Sequence, residues 1–299
     1  MAEPGLRSPG VPRNWPLLCF REGRCPPVAV LGCGAVGLAT ARLLQDRGLP
    51  VTIYASELPP IAGGEWFPFG VFDFGKQSPE FMNQFLQATE FSYRRYQTLL
   101  GPRYGVRWLR NYFLSHQAPS DDGLGAILRP FLPELHDLSA SEHPFSGYQF
   151  VRQYDSMLIE PPIYLNAMLT DFRIAGGAVR VMHFDHVSQL PKLTEPVIFN
   201  CTGLGARALF DDQELTPAKG QLTVLLPQPE VNYMAVMEDD LYMFPRTDGI
   251  LLGGTFEKDE WSLSVNQTAK ARVLKGHAQF LDSFRRCQRA ALDDRDRYR

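Results

Sequence analysis

The chain has 299 residues, 44% of them hydrophobic and 21% charged, with a net charge of −3 at pH 7. That is enough chain for one large core or two medium ones, and an ordinary composition for a soluble globular protein. So small a charge makes no field to draw in nucleic acid or an anionic membrane, and apolar runs such as 250–252 are far too short to span a bilayer.

The five cysteines, Cys19, Cys25, Cys33, Cys201 and Cys287, contain no C-x-x-C pair. Neither a disulfide framework nor a zinc site is expected, and reduced thiols are. His183 and His186 stand three apart in a strand-like run, which would send them to opposite faces, so no metal is expected there. Residues 1–27 are rich in proline and arginine and lack an apolar h-region. They read as a disordered arm, not a signal peptide.

The first predicted strand, "VAVLG", runs directly into a helix, "AVGLATARLLQDRG", that ends at Gly48. A second strand, "PVTIYA", follows at once, which is the βαβ opening of a doubly wound sheet. "GGEWFPFG" is a loop. Residues 79–100 read as a helix with Phe81, Phe85, Phe91 and Leu99 among its apolar positions, and 101–150 are mixed, with a turn near 120–123. A helix over 164–175 leads to two strand candidates, "GAVRVMHF" and "PVIFNCTG". Residues 220–256 then hold "GQLTVLL", "NYMAVM", "LYMFPR" and "GILLGGTF", whose short spacing suggests an antiparallel sheet. Residues 267–292 are helical and the chain ends in solvated charge. The fold class is therefore α/β: a Rossmann-like βαβ domain interleaved with an antiparallel β-sheet domain.

Gly32, Gly34 and Gly37 form G-x-G-x-x-G between that first strand and helix. The first glycine permits the tight turn, the second lets backbone approach a pyrophosphate, and the third lets the helix pack closely. The first N–H groups of the helix, at Ala35 and Val36, then face the phosphate charge. Glu57 lies 20 residues beyond Gly37, where a carboxylate would take the ribose hydroxyls, with Ser56 a rival for the role. The bland alternative is a helix–strand packing motif beside an acidic turn. The spacing does not separate NAD from FAD.

Five separated motifs occur in order: "VAVLGCGAVGLATA", "GGEWFPF", "VIFNCTGLGA", "KGQLTVL" and "YMFPRTDGILLGGTFEKDEW". Together they resemble the D-amino-acid oxidase family over about residues 28–265. The resemblance implies FAD as cofactor, a substrate sheet covering the flavin, and oxidation of a D-amino acid by molecular oxygen to an imino acid, then keto acid, with hydrogen peroxide. It implies that Gly32, Gly34 and Gly37 hold the pyrophosphate and that Ala62, Gly63, Gly64 and Trp66 pass near the flavin ring. It further implies a main-chain adenine contact at Val187, a cofactor-facing strand end at Thr202 and Gly203, and a substrate-carboxylate bond from Tyr242. Arg246 and Thr255 match the strand pattern with no role attached. Trp66 and Tyr242 can equally be core residues.

The sequence also departs from the family. An arginine in an R-P-x-R context and a glycine-rich final segment are expected after the sheet, and neither is found. Arg285, Arg286 and Arg289 lie in a helical stretch and take no role. Losing a guanidinium partner for a substrate carboxylate costs about 2–5 kcal/mol. The expectation is thus a C-terminally shortened relative with an impaired site. An FAD-dependent oxidase is the first reading, a non-catalytic dinucleotide-binding or regulatory relative the second, and a nicotinamide dehydrogenase a weaker third.

The domain expectation is an arm over 1–27, an FAD-binding domain from 28–66 and 152–215, a substrate domain from 67–151 and 216–265, and a C-terminal helix and tail over 266–299. The expected partners are a D-amino acid and oxygen, with no nucleic acid and no membrane, and a homodimer as the oligomeric form to test. Cytoplasm and peroxisome both stay open as compartments.

Overall fold

The computed structural model describes residues 25–57, 64–68, 77–119, 123–145, 147–238 and 240–296, with side chains in the last helix described as far as 282. In chain order the elements begin with β1 (Val28–Leu31), α1 (Ala35–Gln45), β2 (Val51–Ala55), β3 (Glu65–Trp66), α2 (Pro79–Gln97) and β4 (Val106–Ser115). There follow α3 (Gly123–Leu128), β5 (His136–Leu138), β6 (Phe150–Ile159), α4 (Pro161–Ile174), β7 (Ala178–Val181), β8 (Val197–Asn200) and α5 (Gly205–Phe210). The chain closes with β9 (Ala218–Lys219), β10 (Thr223–Leu225), β11 (Tyr233–Met237), β12 (Leu241–Arg246), β13 (Gly249–Gly253), β14 (Glu257–Lys258) and α6 (Gln267–Asp296).

Two compact units result, Met1–Pro60 with Met168–Glu214, and Ile61–Ala167 with Leu215–Arg299. Residues 64–66 and 152–167 therefore go with the second unit, where the sequence analysis puts them with the nucleotide-binding part. The cause is β6, which pairs with β4 along its whole length, from Phe150↔Ser115 to Ile159↔Val106, and so cannot be divided at 151. The expected N-terminal arm lies outside the described residues except for 25–27. Cys25 is disulfide-bonded, a correction to the expectation of reduced thiols, while Cys33 and Cys201 are free.

The first unit carries a parallel sheet in the order β7-β2-β1-β8. Ala29, Leu31, Tyr54, Leu190 and Leu209 make its buried cluster. The β1 residues are buried without exception, as a central parallel strand covered on both faces requires. α1 stops because Gly48 takes φ +81°, where its N–H donates to the Gln45 carbonyl. His183 and His186 lie beyond β7 instead of within a strand. His186 caps a 3₁₀ turn, Val187–Lys192, by accepting from the Ser188 N–H.

The second unit is built on one mixed sheet, β10-β13-β12-β11-β4-β6-β3, with β5 added beside β6. It is antiparallel apart from β4 and β11, which run parallel. The short strands after residue 220 were read correctly as a sheet, but its two ten-residue strands, β4 and β6, come from stretches the sequence reading left unassigned. In β4 the alternation of "VRWLRNYFLS" is broken by Arg107 and Arg110, one on each face, which hides the period. Along each strand alternate residues take opposite faces. One face, with Leu114, Ala235, Met243 and Leu252, packs around Val273 and Phe280 of α6.

Candidate functional site

In the first unit the loops that follow β1, β2, β7 and β8 all leave the parallel sheet at the same edge. The crevice outside the carboxyl ends of such strands is where this topology binds ligands. The glycine loop is locked there from both sides. The Gly32 N–H donates to the Tyr54 carbonyl at 2.7 Å, and the Cys201 N–H donates to the Leu31 carbonyl at 2.8 Å.

The three glycines have different reasons. A Cβ on Gly32 would lie 2.3 Å from the Cys201 carbonyl oxygen, at φ +104°. A Cβ on Gly37 would lie 2.0 Å from the Gly32 oxygen, so only glycine lets α1 pack so near the turn. Gly34 differs: a Cβ there would meet nothing within 4 Å. It is the N-cap of α1, no side chain caps the helix, and no acidic residue stands in its first turn. The first N–H groups, at Ala35 and Val36, are therefore left beside open space, with both residues exposed. A cradle shut on two sides, with room for a ligand at its middle glycine, fits a diphosphate.

Around this cradle, Ser56 and Glu57 sit exposed just past β2, and nothing separates them as rivals. Thr202 donates from its hydroxyl to Asn200 Oδ1 at 2.7 Å, and Gly203 turns away at φ +56°. Val187 is exposed at the start of its 3₁₀ turn. Burial raises the thiol pKa of both Cys33 and Cys201, which suits packing more than reactivity.

The other expected site residues belong to the second unit. Ala62 and Gly63 lie outside the described residues. Gly64 abuts β6, where a Cβ would stand 2.2 Å from the Ile159 oxygen. Trp66 ends β3 beside β6, and its side chain is a core residue. It is buried, its Nε1–H donates to Ser92 Oγ at 2.9 Å, and it packs on Tyr93 and Phe131. That leaves only its main chain for a cofactor.

Tyr242 lies on the sheet face opposite α6. Its ring stacks on Phe244 at 4.8 Å and covers Gly253 and Gly254, where any Cβ would strike it. The hydroxyl is half-buried, burial raises its pKa, and it has no hydrogen-bond partner among the described residues. Beside it on the same face lies an apolar floor of Leu109, Leu158, Met234 and Phe244. Arg246, two side chains further along β12, is only 4% exposed and forks onto Asp248 through Nε and Nη2. Thr255 is structural: its Oγ1 accepts from the Gln221 N–H at 2.6 Å.

Residues 27–294 match the family described as FAD dependent oxidoreductase. The chain belongs to that family. Among curated relatives, the D-amino-acid oxidase of Streptomyces coelicolor is 30% identical over 257 residues, 83% of this chain and 75% of the relative. The D-amino-acid oxidase of Dictyostelium discoideum is 24% identical over 266 residues, 85% and 73% of the two chains. Among solved structures, glycine oxidase from Geobacillus kaustophilus shares the fold with a TM-score of 0.63 at 16% identity, over 87% of this chain and 80% of that one. L-alpha-glycerophosphate oxidase from Mycoplasma pneumoniae, solved with FAD bound, gives 0.61 at 16%, over 86% and 79%. The protein is an FAD-dependent oxidoreductase, and the cradle's geometry fits that cofactor.

One feature of this oxidoreductase escaped the sequence reading. Glu65, on the Tyr242 face of β3, accepts at Oε1 from Ser156 Oγ at 2.9 Å and from Asn111 Nδ2 at 3.1 Å. Burial pushes its carboxyl up to about 7, against the lowering effect of those two bonds. The signal available was a lone acid inside an apolar loop, "GGEWFPFG".

Proposed function

We propose that this oxidoreductase oxidises a D-amino acid. The substrate loses hydride from its α-carbon and a proton from its nitrogen, and the imino acid hydrolyses to a keto acid and ammonia. FAD supplies the hydride acceptance, and its reoxidation by oxygen yields hydrogen peroxide. The curated D-amino-acid oxidases that align over more than four-fifths of the chain support this reading. The observation that carries it is the Tyr242 hydroxyl, a donor without a partner among the described residues, beside an apolar floor.

The residues have separate tasks. Gly34, Ala35 and Val36 offer N–H groups to the pyrophosphate, while Gly32 and Gly37 keep the turn tight. Glu57 or Ser56 takes the ribose, the Val187 main chain the adenine, and Thr202 and Gly203 border the dinucleotide. Tyr242 donates its hydroxyl proton to one oxygen of the substrate carboxylate and fixes the amino acid's orientation. Leu109, Leu158 and Met234 exclude water beneath it, which strengthens that bond.

A second reading, an FAD-binding protein without turnover, draws on Arg246. A substrate carboxylate is best held by a guanidinium fork, and the arginine on the Tyr242 strand is already committed to Asp248. The discriminating experiment is to purify the chain, measure flavin absorbance per chain, and assay peroxide from a panel of neutral, acidic and basic D-amino acids. Stoichiometric flavin with peroxide establishes the oxidase. Flavin that no D-amino acid reduces, even anaerobically, leaves the binder.

A further inference from the structure

Acceptors outnumber donors at one place on the Tyr242 face. Asn111 is wholly buried, and its two amide hydrogens are spent on Glu65 Oε1 and, at 2.5 Å, on Ser156 Oγ. The Ser156 hydroxyl hydrogen also goes to Glu65 Oε1. Among the described residues no donor is recorded to Glu65 Oε2 or Asn111 Oδ1, and the Asn111 oxygen is an orphan in a buried setting. With every hydrogen of Asn111 and Ser156 engaged, the deficit is of donors, which a cationic N–H group would remove.

Among the described residues no cation fills that role. Arg107, on the same face of β4, donates to the Pro245 carbonyl at 2.6 Å and pairs with Glu160. Arg152, on the same face of β6, is held by Asp137 at 2.6 Å. A metal ion fits poorly, since one carboxylate and one amide oxygen are too few hard ligands, and no group of three metal-ligating side chains occurs among the described residues. A purely structural bridge between β3, β4 and β6 needs no charge, because glutamine could make the same bonds without the cost of burying a carboxylate.

The cluster is continuous with the substrate tyrosine. Asn111 pairs with Met234 on β11, Phe244 packs on Met234, and Tyr242 stacks on Phe244. Two strand spacings, about 10 Å, separate Asn111 from Phe244. An amino acid anchored by its carboxylate at Tyr242 would extend its side chain along this row over the apolar floor.

Resting on the oxidase reading, we propose that Glu65 and Asn111 form the far end of the substrate site and receive a cationic side chain, so that the preferred substrate is a D-amino acid bearing an amino or guanidino group. The methylene stem of such a side chain covers Met234 and Leu109, and its N–H donors meet Glu65 Oε2 and Asn111 Oδ1. The raised carboxyl of Glu65 agrees, since it marks a site without its own counter-charge.

The test compares D-lysine with D-norleucine, which differ only by the terminal amine, in the FAD-loaded full chain and its Glu65→Gln variant. The expected result is a kcat/KM preference for D-lysine of at least about tenfold in the native protein, collapsing towards unity in the variant. Flavin-spectral titration of the native protein with 6-aminohexanoate against hexanoate reads the same preference without turnover or any variant. Equal or absent binding of those two ligands overturns the proposal, as does a D-lysine preference that survives Glu65→Gln. If the aminated ligand is preferred but neither D-amino acid reduces the flavin, the oxidase reading fails while the cation subsite stands.

Discussion

His277 on α6 reaches the main chain of Tyr242, with Nε2 3.1 Å from the Tyr242 carbonyl oxygen. The imidazole is 2% exposed, and its Nδ1 lies 2.8 Å from the Val273 carbonyl. Five residues earlier, Arg272 donates to the carbonyl of Gly254, which lies under the Tyr242 ring. Gly276 leaves room for Leu241, whose Cδ1 would be 2.4 Å from a Cβ there. One helix thus holds the backbone on both sides of the tyrosine, so with the proposed role of Tyr242 His277 acts as a positioning residue. His277→Ala should destabilise the protein by about 1–3 kcal/mol and raise KM more than it lowers kcat. His277→Gln, which keeps a donor, should recover part of both losses. Thermal melts and steady-state kinetics check this; an unchanged KM would leave His277 a core residue only.

Tyr242→Phe separates stability from binding. The hydroxyl has no partner among the described residues, so its removal leaves none of them unpaired, and the melting temperature should stay within about 2 °C or rise. Substrate affinity should fall at least about fivefold, because the lost bond is to a charged carboxylate. Paired melting curves and KM values decide it.

The glycine loop predicts opposite failures for neighbouring glycines. Gly37→Ala places a methyl against the Gly32 carbonyl and should lower the stability of the flavin-free protein by about 1–3 kcal/mol or more. Gly34→Val has free space in the fold and should leave that stability nearly unchanged, yet block the diphosphate. Flavin absorbance after purification, read with the melting temperature of stripped protein, distinguishes the two.

Glu65 makes stability depend on pH. Its carboxyl titrates near 7 in the folded chain against 4.5 as the ordinary value, because burial outweighs the bonds from Ser156 and Asn111. The folded state therefore binds this proton more tightly than the unfolded state does. The contribution is fully present below about pH 4.5 and is lost as pH rises through about 7. In the ligand-free protein, the melting temperature of Glu65→Gln should gain on that of the native chain by a few degrees over this window. Parallel profiles for the two proteins would show the carboxyl to be ordinary.

Sequence alone settled the elements whose cause is local. A strand, a glycine turn and a helix within 28–48 dictate the cradle, since the steric demand at Gly37 comes from Gly32, five residues earlier, and only the demand at Gly32 comes from a distant residue, Cys201. The sheet of the second unit was visible where its strands are short and separated by turn residues. The tertiary structure decided what depends on strand pairing. Only the register of β3, β4 and β6 brings Glu65, Asn111 and Ser156, up to 91 residues apart, within bonding distance. Only the docking of α6 shows that Tyr242 is held from behind by His277, 35 residues away in the chain. Such contacts have no local period to read, because hydrogen bonds between side chains depend on which strands become neighbours, and burial of the whole sheet fixes that.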